Sequence, residues 1–85
     1  MTKNSNVKYG LPQIDKVASG VKIMARIKQQ GYKVKDVANK MCTTATVVYR
    51  WTCGAIIPGT LTLMQLAWVL DCKVDDLIVM DTEGL

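Results

Sequence analysis

The chain has 85 residues, of which 49% are apolar, so it can bury one hydrophobic core but not two. Its net charge of +4 is unevenly distributed. Residues 1–50 carry ten basic and two acidic side chains, whereas residues 51–85 carry one basic and five acidic ones. A basic first half favours a polyanionic partner, and an unevenly charged, solvated surface is the alternative interpretation.

Cysteine and histidine content argues against metal and disulfide chemistry. Cys42, Cys53 and Cys72 have no CxxC spacing, and the chain has no histidine. A zinc site or a disulfide framework is therefore not expected, and each thiol is predicted to act as a small apolar side chain. No general base or nucleophile constellation indicates an enzyme, and no cofactor or small-molecule ligand is expected.

No segment has the features of a membrane or secretion signal. No run approaches the roughly 18 apolar residues of a membrane span, and residues 1–10 lack the apolar region of a signal peptide. The sequence therefore predicts a soluble, cytoplasmic protein with no membrane partner.

The hydrophobic pattern predicts five helices and no strand, which is an all-α fold. The folded domain is predicted to cover residues 18–80, after an N-terminal arm and extended lead-in (1–17) and before a C-terminal tail (81–85). Ser19 and Thr44 are predicted to be the N-caps of the first and third helices. The predicted helices cover residues 20–30, 34–41, 45–52, 60–70 and 74–79.

Residues 34–51 predict two short amphipathic helices joined by a polar turn. At about 100° per residue, the second helix turns one arc toward the core, formed by Val47, Val48 and Trp51. The opposite arc is suited to contact with a partner. It carries Ala45, Thr46, Tyr49 and Arg50.

The predicted fourth helix is apolar on nearly all sides. Leu61, Met64 and Trp68 form a second apolar stripe besides the one that faces the core. Helices of this kind are usually buried. The stripe is expected to be covered by the N-terminal arm, by the fifth helix or by a second subunit.

Several motifs in a fixed order resemble one family, the Cro/CI-type (XRE, lambda repressor-like) helix-turn-helix domains of phage repressors and bacterial regulators. The resemblance covers about residues 18–79. It implies a compact five-helix lambda repressor-like domain that binds double-stranded DNA as a sequence-specific transcriptional regulator, a repressor acting as a homodimer on a palindromic operator. The motifs are Ala38, a three-residue turn, Val48-Tyr49-Arg50-Trp51, Gly54, Pro58 and Val74-Asp75-Asp76-Leu77.

The resemblance implies that the third helix enters the major groove of DNA. Ala45, Thr46 and Tyr49 are predicted to contact bases, and Arg50 a base or a phosphate. The predicted phosphate contacts are Lys33, Lys35, Thr44 and the backbone near Gly54. The homodimer contact is predicted on the fifth helix and the nearby face of the fourth, through Trp68, Leu77, Ile78 and Met80.

Five positions depart from the family pattern. Cys42 stands where the turn usually begins with glycine, which implies strain or a different turn. Val34 replaces a phosphate-binding glutamine, and Lys33 replaces a Ser or Thr cap. Ile27 and Thr52 occupy the positions of a buried Arg–Glu pair, and losing both charges together costs far less than losing one.

A protein-interaction module on the same helical scaffold, such as an antitoxin or an adaptor, is the alternative function. A fold by itself does not decide function. The modest net charge and the missing glutamine keep this alternative open, because both weaken the expectation of phosphate contacts. Such a module would use the apolar stripe of the fourth helix rather than the outward arc of the third.

Overall fold

The structure is a computed structural model that describes residues 11–81. These residues form four α-helices, one turn of 3-10 helix and a two-stranded antiparallel sheet. The predicted compact, mostly helical fold is confirmed, but the fifth α-helix and the absence of strands are not. In chain order the elements are β1 (Gln13–Ile14), α1 (Lys16–Gln29), α2 (Val34–Lys40), α3 (Ala45–Thr52), α4 (Thr60–Val69), the 3-10 turn (Val74–Asp76) and β2 (Met80–Asp81).

Helix α1 begins earlier than predicted, because Asp15 rather than Ser19 is its N-cap. The Asp15 carboxylate accepts a hydrogen bond from the Ala18 N–H at 3.0 Å. Helix α1 therefore includes residues 16 and 17, which the sequence places in the lead-in. The predicted arm over residues 1–10 and most of the predicted tail lie outside the described residues.

Ser19 joins α1 to the C-terminal end of the fold. Its side chain is buried, and its hydroxyl accepts a hydrogen bond from the Val79 N–H at 2.8 Å and lies 3.4 Å from the Val79 carbonyl oxygen. The Asp15 N–H donates to the same carbonyl at 2.8 Å. Just beyond this contact, Ile14 pairs with Met80 in the sheet. These contacts with residues 13–15 and with α1 explain why the chain after the 3-10 turn leads into β2 instead of continuing as a helix.

Replacing Ser19 by alanine is expected to lower the free energy of unfolding by about 1–3 kcal/mol, because it leaves the Val79 N–H without its acceptor. Equilibrium urea denaturation measures this change. Thr46→Ala is the matched control, since Thr46 is exposed and its loss is expected to change stability by no more than about 0.5 kcal/mol. Equal stability of the two variants would contradict the role of Ser19.

One core joins all four α-helices and the segment after the 3-10 turn. Met24 and Met41 pack against this core, whereas Met64 is exposed. The fully buried apolar side chains are Ile23, Ile27, Val37, Val48, Leu66, Leu70 and Leu77.

The three cysteines are free and differ in their surroundings. Cys72 packs against the core, and burial raises the pKa of its thiol. Cys42 and Cys53 are exposed. The predicted role as a small apolar side chain is therefore confirmed for Cys72 and wrong for the other two.

Arg26 connects α1 to the end of α4. Its guanidinium donates to the Leu70 carbonyl at 3.0 Å and to the Asp71 carbonyl at 2.7 Å. The last carbonyls of a helix lack partners within it and carry partial negative charge, so a cation stabilises this end. The sequence pattern places Arg26 on the solvent side, and nothing local indicates this distant contact.

Within residues 11–81, no helix is both long enough and apolar enough to cross a membrane. The same part of the chain brings together no group of three or more His, Cys, Asp or Glu side chains that a metal ion would need.

Candidate nucleic-acid interface

Helix α3 is held against α2 by its buried side. Val48 and Trp51 are both buried in the core, as predicted. Ala38 of α2 is buried in the same cluster, and its small side chain permits the close approach of the two helices. The inward arc of α3 is therefore fixed, which leaves its other side toward solvent.

The C-terminal end of α3 lies directly against α1 at Gly20. A Cβ atom added at Gly20 would lie 2.5 Å from the Thr52 carbonyl oxygen and 2.7 Å from that of Trp51. Only glycine permits this approach without a shift of one helix. The hydrophobic pattern does not predict this contact, because it places Gly20 at the start of the first helix and not inside it. A glycine inside an amphipathic pattern is the signal that would have indicated it.

Gly54 fixes the chain just after α3. Its φ is +82°, and a Cβ atom there would lie 2.8 Å from the Cα atom of Val17. Its N–H donates to the Trp51 carbonyl at 3.3 Å. A phosphate contact through this N–H remains a prediction, and it would compete with that hydrogen bond.

The turn between α2 and α3 keeps a left-handed residue although it lacks glycine. Cys42 has φ 56°, and the Thr43 N–H donates to the Ala38 carbonyl at 2.9 Å. Of the two possibilities, strain or a different turn, the structure thus has the strained one: a non-glycine residue in the left-handed conformation, which costs about 1–2 kcal/mol. Thr44 is the N-cap of α3 as predicted, since its hydroxyl accepts from the Val47 N–H at 3.3 Å.

Three predicted base contacts lie on the solvent side of α3. Thr46, Tyr49 and Arg50 are exposed, and 54% of the Tyr49 surface is accessible. The fourth, Ala45, is half-buried against the core. Among the described residues, the Arg50 guanidinium has no hydrogen-bond or ion-pair partner. The structure therefore brings these side chains to one face, with Arg50 available to a partner.

The predicted phosphate contacts Lys33 and Lys35 are exposed at the start of α2. The Asp36 carboxylate accepts from the N–H of the cap residue Lys33 at 2.8 Å, as the N3 side chain of a capping box does. No side chain takes the place of the missing Ser or Thr, because the Lys33 side chain accepts no hydrogen bond from the first turn of α2. Val34 is buried in the core. The start of α2 thus has two ammonium groups available to phosphates, whereas the Lys33 N–H already donates to Asp36.

Four residues are predicted to form a dimer contact, and the prediction is wrong for Leu77. Its side chain has 0% exposed surface and belongs to the core of this chain, so it is not accessible to a second copy. Trp68 is 84% exposed, Met80 is also exposed, and Ile78 is half-buried.

Two solved structures share this arrangement of helices. The restriction-modification controller protein C.AhdI from Aeromonas hydrophila has a TM-score of 0.70 and 19% identity, over 74% of this chain and 91% of its own. The P22 c2 repressor, solved in complex with a synthetic operator, has a TM-score of 0.66 and 22% identity, over 69% of this chain and 89% of its own. The chain has the Cro/CI-type helix-turn-helix fold. No family model and no curated protein matches the sequence.

Uncharged residues fill the two positions at which the resemblance places an Arg–Glu pair. Ile27 is buried in the core, and the Thr52 hydroxyl donates to the Tyr49 carbonyl at 3.1 Å. Across residues 11–81, no buried side-chain nitrogen or oxygen lacks a hydrogen-bond partner. The joint replacement therefore leaves no uncompensated charge in the interior.

Proposed function

We propose that this protein is a sequence-specific regulator of transcription that binds double-stranded DNA with α3 in the major groove. The observation that carries the proposal is the two-sided character of α3. Its inner side is locked by buried Val48 and Trp51, and its outer side carries exposed Thr46, Tyr49 and Arg50. A groove about 12 Å wide admits one such helix.

The exposed side chains suit different parts of the DNA surface. The Thr46 hydroxyl can hydrogen-bond to several base edges, and the Ala45 methyl can pack on a thymine methyl. Tyr49 lies on the same face, and the guanidinium of Arg50 suits guanine O6 and N7 or a phosphate. Phosphate contacts position the protein without reading sequence, and we assign them to Lys33, Lys35, Thr44 and the backbone at Gly54.

The charge distribution and the structural comparison support the same proposal. Residues 1–50 have an excess of eight positive charges, which favours a polyanion. The P22 c2 repressor, which has a similar fold, was solved with operator DNA. One small domain makes few phosphate contacts, so a second copy on a palindromic operator would double the footprint. We therefore propose a homodimer that acts as a repressor and associates through Trp68, Ile78 and Met80.

Arg50→Ala and Tyr49→Ala test the assignment of α3. A binding site is first selected from a random-sequence DNA library with the wild-type protein, and affinities are then titrated at fixed salt. Each variant is expected to bind this site about 10- to 100-fold more weakly, since one base contact is worth about 1–3 kcal/mol. Unchanged specific binding by both variants would overturn the proposal.

Two lysine variants supply the matched controls for that experiment. Lys35→Ala is expected to weaken specific and non-specific binding alike and to reduce the salt slope by about one. Lys22→Ala removes the same charge from α1, beside Asp76 and Arg26, and is expected to have less effect.

A protein-interaction module is the second candidate, and the exposed stripe of α4 favours it. Leu61 is 67% and Met64 is 58% exposed, next to the exposed Trp68. Nuclear magnetic resonance shift mapping separates the two functions. DNA is expected to perturb residues 35–50, whereas a protein partner is expected to perturb residues 61–80.

A further inference from the structure

Helix α4 has a protruding aromatic side chain near one end and an apolar groove beside the other. Trp68 protrudes near the C-terminal end of α4. The groove has a volume of about 470 Å³ and lies between the first half of α4, the 3-10 turn and the sheet. Its apolar lining comes from Ile14, Leu63, Met64, Val74, Ile78 and Met80.

The uncharged surface of α4 favours a second copy of this chain as the partner. No residue of α4 (Thr60–Val69) is acidic or basic. In a two-fold symmetric interface the same patch lies on both subunits, so a charge near the symmetry axis would face its own copy. The α4 surface avoids this repulsion and also matches the depletion of charged residues at interface cores. The groove lining has one charged residue, Asp75, in the 3-10 turn.

The spacing of the exposed stripe fits two antiparallel copies of α4. Leu61 and Trp68 are seven residues apart, about 10 Å along the helix, and Met64 lies between them. A two-fold axis near Met64 would bring Trp68 of each copy over the Leu61 end of the other. The groove opens at that end, since its lining includes Thr60, Leu63 and Met64.

We propose that Trp68 of each copy inserts into the groove of the other copy. This inference rests on the homodimer of the proposed function and specifies how it is held. A tryptophan buries about 150–250 Å², and a stable interface buries about 1,200–2,000 Å² in total. Two such insertions, together with the exposed Leu61 and Met64, therefore supply a substantial share of the area that a dimer needs.

Mixing two variants tests the insertion. Trp68→Ala removes the inserted side chain, and Met80→Asp puts a charge in the groove. Each homodimer then has two damaged contacts, whereas the mixed dimer keeps one intact tryptophan in one intact groove. Each variant alone is expected to associate at least about 10-fold more weakly than wild type, and the mixed dimer at least about 10-fold more tightly than either homodimer. Sedimentation velocity with one variant fluorescently labelled measures these constants.

Val21→Asp is the matched control, because Val21 is also an exposed apolar residue but lies on α1. Its replacement is expected to leave association unchanged. A mixed dimer no tighter than the two homodimers would overturn the insertion while leaving the wild-type homodimer in place. A wild-type protein that stays monomeric at millimolar concentration would overturn both. DNA titrations with the α3 variants are independent of either result.

Tryptophan fluorescence gives a second measurement on the wild-type protein. Trp51 is buried within the chain and Trp68 is exposed, so a concentration-dependent change in acrylamide quenching reports on Trp68. Quenching is expected to fall as the dimer forms. A dimer in which quenching stays unchanged would overturn the insertion even if the Met80→Asp variant did not fold.

Discussion

Gly20→Ala is expected to destabilise the protein by a net of about 1–2 kcal/mol, although alanine is the better helix former. Helix propensity alone favours alanine over glycine by about 1 kcal/mol. The added Cβ atom, however, would lie 2.5–2.8 Å from backbone atoms of Trp51 and Thr52. Backbone cannot rotate away as a flexible side chain can, so α1 and α3 must separate, and overpacking of this kind costs about 1–3 kcal/mol. Equilibrium denaturation gives the sign directly.

Gly59→Ser is the matched control for adding a side chain at a glycine. Nothing lies within 4 Å of a Cβ atom at Gly59, which is the N-cap of α4 and forms no side-chain capping bond. Serine there is expected to leave stability unchanged or raise it by a few tenths of a kcal/mol, because serine is a better N-cap than glycine. A Gly20→Ala variant as stable as wild type would contradict the close approach of α1 to α3.

Leu77→Ala is expected to lower the free energy of unfolding by about 2–5 kcal/mol, because Leu77 is fully buried and its truncation leaves a cavity. Trp68→Ala is expected to change the stability of the monomer by no more than about 0.5 kcal/mol, since Trp68 is exposed. Urea denaturation is run at dilutions where only monomer is present. The larger side chain thus has the smaller effect, because burial within the chain determines the cost.

The opposite ranking would contradict the burial of Leu77. If Leu77→Ala were neutral in the monomer but weakened association, Leu77 would be a dimer contact, as the family resemblance implies. Sedimentation of the same samples distinguishes the two results.

The part of the fold that the sequence predicts well is local. Helices α2 and α3, the cap at Thr44 and the exposed positions of Thr46, Tyr49 and Arg50 agree with the structure. Each depends on residues within a turn or two of helix, through periodicity and capping. The left-handed residue of the turn also falls where the family pattern places it, at Cys42.

Predictions that depend on distant partners failed. Residues 74–79 have a helical pattern, yet they form one 3-10 turn and a segment that leads into β2. Serine is a common N-cap residue, yet Ser19 is buried and hydrogen-bonded to Val79, 60 residues further along the chain. Arg26 binds carbonyls at the end of α4, 44 and 45 residues away. No local pattern identifies such partners.

The sequence by itself therefore determined the two helices of the candidate DNA-binding unit and the outward arc of α3, because helix periodicity and capping act over a few residues. Only the tertiary structure decided which apolar side chains are available to a partner. Leu77 and Trp68 are both large and apolar, but they differ in burial. Leu77 is buried because its segment, after the 3-10 turn, is held against α1 by the Ser19 hydrogen bond and against β1 by strand pairing. Trp68 is exposed because nothing among residues 11–81 covers it. Burial is a property of the assembled chain, since each buried surface needs a neighbour from elsewhere in the sequence.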